Sequence, residues 1–76
     1  MTHFDRITSK LDLMNGQPTI RGMRITVRRV LEAVALYPDR ATLLREYPEL
    51  ESDDVKQAPG FAAFSLDDRV LTLEAA

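Results

Sequence analysis

The chain of 76 residues contains no cysteine and no tryptophan. Disulfides and zinc–thiolate sites are therefore excluded. It has a single histidine, His3. One terminal imidazole falls short of the several ligands that a closed metal site needs, so no metal and no other cofactor is expected. The three glycines, Gly16, Gly22 and Gly60, are too scattered for a phosphate-binding loop. No apolar run approaches the ~20 residues that span a bilayer, and the first residues lack the basic-then-apolar pattern of a secretory signal. A cytoplasmic protein with no membrane association is expected. There is no repeat, no low-complexity tract and no internal linker.

These absences bear on stability. A chain this short buries only roughly 60% of its unfolded surface. Disulfides and metals, two of the usual supplements, are excluded, which leaves a partner chain or self-association. A homodimer or a complex with another protein is the expectation.

Charge is unevenly placed. Residues 1–30 carry six basic and two acidic side chains, net +4, and residues 31–76 carry four basic and ten acidic ones, net −6. The sum is the overall −2. Such a split implies a basic face suited to phosphate and an acidic face suited to a basic partner. Two solvated surfaces are the plainer alternative.

The apolar periodicity predicts a mainly α protein. Val27, Val30, Leu31, Val34 and Ala35 make one stripe of a helix over 26–36, with Thr26 as N-cap and a stop at Tyr37-Pro38. A second helix is expected over 40–46, capped by Asp39 and ended by Pro48. A third is expected from Asp53, with Ser52 as its cap and Asp53 and Asp54 complementing its dipole. Pro59 then removes one helical hydrogen bond, at about 3 kcal/mol, and Gly60 adds roughly 1 kcal/mol. Either the third helix kinks at Ala58 or it ends there and Pro59 opens a fourth helix through about Leu66; the break is the preferred expectation. Ahead of the helices, Ile7-Thr8-Ser9 reads as a short strand and 15–18 as a turn. Residues 19–21 and 24–27 flank Gly22-Met23 as a short hairpin or tight bend. The expected domain covers 6–66, and residues 67–76 form a C-terminal partner-binding tail.

No histidine stands near a serine or an acid as nucleophilic catalysis requires. The pairs Asp53-Asp54 and Asp67-Asp68 are neighbours, about 100° apart on a helix, and capping and turn roles account for them. No enzymatic activity and no catalytic residue is expected.

Three short helices with tight turns have helix-turn-helix order. The third would enter a DNA groove led by Ser52, Asp53 and Asp54, which is unfavourable beside phosphate. Any DNA contact is therefore assigned to Arg21, Arg24, Arg28 and Arg29. Glu32, at i+4 from Arg28, offers a competing ion pair. The dense apolar set at the C-terminal end exceeds what so small a core buries. Phe64, Leu66, Val70, Leu71 and Leu73, with Asp67 and Asp68, are the candidate partner-binding residues.

Arg6-Ile7-Thr8, the run from Asn15 through Ile20-Arg21-Gly22, Arg24-Ile25 and Val27, then Glu46-Tyr47-Pro48, Leu50 and Asp54-Val55, resembles the family known as domain of unknown function 433. Asn15, Gln17 and Met23 depart from its usual glycine, lysine and threonine, and Pro59 from its usual apolar residue. The resemblance implies a homeodomain-like helix-turn-helix bundle with an N-terminal β element, commonly dimeric. It further implies an antitoxin of VapB-like type, which binds and silences a PIN-like ribonuclease toxin and in many cases its own operator DNA. A dimeric DNA-binding regulator without a toxin is the alternative. In the antitoxin reading, the apolar tail anchors in a groove of the toxin while Asp67, Asp68 and Glu74 occupy its phosphate-binding surface.

Overall fold

A computed structural model describes residues 4–66, and the tail residues Asp67, Asp68, Val70, Leu71 and Leu73 lie outside the described residues, as does His3. Two short strands, β1 (Ile7–Thr8) and β2 (Thr19–Ile20), precede three helices, α1 (Val27–Leu36), α2 (Arg40–Glu46) and α3 (Ser52–Leu66). The protein is mainly helical, with a short antiparallel hairpin at its N-terminal end.

The hairpin partner differs from the sequence expectation. β2 pairs with β1, Ile7 opposite Ile20 and Thr8 opposite Thr19. The bend around Gly22 does exist, closed by Met23 N–H donating to Ile20 O at 2.8 Å. Its central residues, Arg21 and Gly22, both have positive φ (48° and 74°), as in a type I′ turn. Beyond it the return segment makes only a single bridge, Thr19 to Thr26, before α1 begins. Thr26 explains this, because its hydroxyl accepts the Arg29 N–H at 3.0 Å as N-cap and commits the chain to a helix. Thr8 ties the hairpin to the turn, its hydroxyl lying 3.1 Å from that of Thr19 and accepting the Gly22 N–H at 2.9 Å.

α1 and α2 begin and end where capping and proline signals place them. Asp39 accepts from Thr42 N at 3.1 Å and Oγ1 at 2.7 Å. These bonds, the side-chain one foremost, hold its carboxyl below its ordinary range. The predicted break at Pro59 is absent: α3 runs unbroken through Pro59 to Leu66. Pro59 itself is exposed, while Val55 and Ala58 before it are buried and Phe61 and Ala62 after it are half-buried. α3 packs more extensively on α1 than on any other element, so anchoring on both sides of the proline outweighs its missing N–H. The core is Ile20 from the hairpin, Val27, Val30 and Ala33 from α1, Leu43 from α2, Leu50, and Val55 and Ala58 from α3.

Candidate interaction surfaces

Three features stand out beyond the core. The first centres on Asp54, whose side chain has no solvent exposure. Its Oδ2 accepts from Arg21 Nη2 at 2.7 Å and from the Glu51 N–H at 2.8 Å. Its Oδ1 accepts from Arg21 Nε at 3.1 Å and Arg6 Nη1 at 3.0 Å. The bond to Glu51 caps α3 from its first turn, as the return half of a capping box does. The same carboxylate binds Arg21 in a two-pronged contact, the strong form of such a pair. Burial alone would raise the Asp54 carboxyl, but the bonds from Arg21, Glu51 and Arg6 outweigh it and the group titrates below its ordinary range. Arg6 also reaches Glu51 at 2.7 Å, and that bond and the one to Asp54 raise its guanidinium. Arg21 is raised by its bond to Asp54 and also donates to Glu49 O at 2.9 Å.

This clasp changes the place of one predicted residue. Arg21, expected on a DNA-facing surface with three other arginines, stays partly exposed but pairs with Asp54 and joins the hairpin to α3. Arg21 sits in the turn at positive φ, and its guanidinium reaches Asp54 in the first turn of α3. Sequence reasoning missed Arg6 in this role, since its partner Asp54 lies 48 positions away. Arg6, Arg21 and Asp54 all fall within the residues that carried the family resemblance. That co-occurrence is the one signal from which the clasp was readable.

The second feature is a basic cleft of about 290 Å³ where Arg24, Arg28 and Arg29 converge with Met14, Thr26 and Glu32. Glu32 is shared by Arg28 at 3.5 Å and Arg29 at 3.7 Å. These contacts are long and solvent-exposed, so they neutralise the cleft weakly. Arg29 also lies over the Tyr47 ring at 5.8 Å. Arg24 has no ion-pair partner among the described residues. By contrast, the turn before α3 and the first turn of α3 expose Glu49, Glu51 and Asp53. The helix that leads into DNA in a helix-turn-helix thus begins with carboxylates, as its sequence implied.

The third feature is an apolar groove of about 380 Å³ between α1 and the C-terminal half of α3. Val27, Leu31, Phe61, Ala62 and Leu66 form its walls, Pro18 closes one side, and Arg28 stands at its edge. Leu66 is 50% exposed and Phe64 64% exposed, both at the end of α3 where the described chain stops. Phe64 turns one face to Phe4, 5.9 Å away, which in turn meets Phe61 edge-on at 5.5 Å. These two predicted partner-binding residues thus lie on the surface at one end of the molecule. Among the described residues no helix is long and apolar enough to cross a membrane.

Comparison with curated proteins and with solved structures gives no match. A family model does match, over residues 7–62, from β1 into α3 and across the Arg21–Asp54 pair. The chain therefore belongs to the family described as protein of unknown function (DUF433).

Proposed function

We propose that this protein is a cytoplasmic antitoxin-like binding module, without catalytic activity of its own, that captures a PIN-like ribonuclease. The observation that carries the reading is the exposure of Phe64 and Leu66 at the point where α3 leads into residues 67–76. That following segment combines Val70, Leu71 and Leu73 with Asp67, Asp68 and Glu74. Apolar anchors flanked by carboxylates suit a groove with basic walls, which a ribonuclease needs for its own substrate. The test is co-expression with a PIN-like ribonuclease encoded beside this gene, followed by affinity capture and the mass of the complex. A stable complex that Leu71→Asp and Leu73→Asp together abolish is expected. Capture indifferent to those substitutions would overturn the role of the tail, and failure to bind any such ribonuclease would overturn the reading.

The convergence of Arg24, Arg28 and Arg29 favours a second activity, duplex binding by a homodimer, with operator DNA as the ligand. Affinity is then expected to fall steeply with salt, because each neutralised phosphate releases counterions. Replacing all three arginines with alanine should flatten that slope; an unchanged slope in a filter-binding titration would remove the cleft from any DNA contact.

A further inference from the structure

The apolar groove begins where the described chain stops. Leu66 is part of its wall, and the next residues are Asp67-Asp68-Arg69-Val70-Leu71-Thr72-Leu73. Its chemistry matches that segment at two points. The walls are aliphatic and aromatic, suited to Leu71 and Leu73. The cation at the edge is Arg28, whose contact with Glu32 is 3.5 Å long with both side chains well exposed. Such a loosely held guanidinium is available to Asp67 or Asp68.

Reach is ample. The α3 wall from Phe61 to Leu66 is about 7.5 Å long at the helical rise of ~1.5 Å per residue. A return at Asp67-Asp68 leaves five residues to Leu73, which span up to about 17 Å when extended. A tethered segment also meets its site at an effective concentration in the millimolar range, which no free partner easily matches.

We propose that in the free protein the groove between α1 and α3 is occupied by residues 67–76 of the same chain, with Leu71 and Leu73 seated between Leu31 and Phe61. This goes beyond the ribonuclease reading, since it concerns the protein without a partner. If both hold, a ribonuclease must draw the tail out of the groove, and its apparent affinity is lowered by the fraction of chains with the tail seated.

The chain lacks cysteine, so Ala75→Cys accepts a single nitroxide label on the full-length protein. Amide spectra of the isotope-labelled protein then report which residues the tail approaches. Selective signal loss at Val27, Leu31, Phe61 and Ala62 is expected. The loss should be strongest beside the groove and fall off toward the start of α3, Asp53 lying roughly 12 Å from Phe61 along the helix. Adding Leu71→Asp and Leu73→Asp should restore the groove signals without perturbing the folded domain. Loss that spreads evenly over α3 would overturn the proposal. Loss that instead transfers from spin-labelled chains to isotope-labelled chains without a spin label would overturn it in favour of a second copy as the occupant. No ribonuclease enters the experiment, so its failure leaves the antitoxin reading standing or falling on the capture assay alone.

Discussion

Asp54 carries three duties on one carboxylate: it caps α3, binds Arg21 through both oxygens and accepts from Arg6. A fully buried charge is tolerated only when it is paired and its lone pairs are used, and both conditions hold here. Among the described residues no buried side-chain nitrogen or oxygen lacks a partner. Removing the charge while keeping the shape should be costly, because two guanidinium groups then face each other across a neutral amide. Asp54→Asn is expected to destabilise the protein by about 3 kcal/mol, the scale for breaking one side of a buried ion pair. Urea unfolding followed by circular dichroism would read this as a lowered midpoint with little change in slope. A loss under about 1 kcal/mol would mean that the amide satisfies the clasp nearly as well as the charge, contrary to the cost expected of breaking a buried pair.

At the scale of elements, the helices with local signals were the readable ones. Thr26, Asp39, Tyr37-Pro38 and Pro48 act within a few residues of the ends they set, so α1 and α2 follow from adjacent chemistry. The pairing of β1 with β2 does not, because it joins strands across a ten-residue connection and depends on which segment the Thr26 cap has already claimed. α3 shows the same lesson inverted. Pro59 and Gly60 are strong local breakers, yet the helix passes through them because burial of Val55 and Ala58 on one side and of Phe61 on the other is a tertiary effect. The candidate surfaces divide likewise: Arg24, Arg28 and Arg29 converge because they lie close along the chain, whereas Arg21 was drawn away by a distant carboxylate. Two substitutions test the balance. Pro59→Ala should restore a donor to the Val55 carbonyl and stabilise the protein by about 1–3 kcal/mol, up to the full cost of an interior proline. Thr26→Ala should cost about 1 kcal/mol, the usual worth of an N-cap. Both are read from denaturant midpoints. A neutral Pro59→Ala would show that α3 bends to relieve the proline without loss.

For the molecule as a whole, the clasp matters because the core is small and polar bonds from the N-terminal segment help fasten it to α3. Arg6 donates its side chain to Glu51 and Asp54, and its backbone N–H goes to Gln57 Oε1 at 3.1 Å. Asp5 accepts from Gln57 Nε2 at 2.8 Å, completing the attachment. Much of the joint between strand and helix thus depends on carboxylates staying ionised. Asp54 titrates lower in the folded protein than its unfolded value of about 3.9, so its contribution is fully present above that pH. As pH falls below about 4 toward the lower folded value, the unfolded state takes up the proton first and the contribution is lost. Asp39, also depressed, adds to the same acid limb through its bonds to Thr42. Unfolding free energy measured from pH 7 to pH 2 should therefore hold level to about pH 5 and then drop steeply. In Asp54→Asn the curve should start lower and drop less, converging on the parent at the acid end, because the substitution has already removed the charge that acid would remove. Parallel curves for the two proteins would mean that acid lability resides in other carboxylates and that Asp54 acts through shape and capping alone.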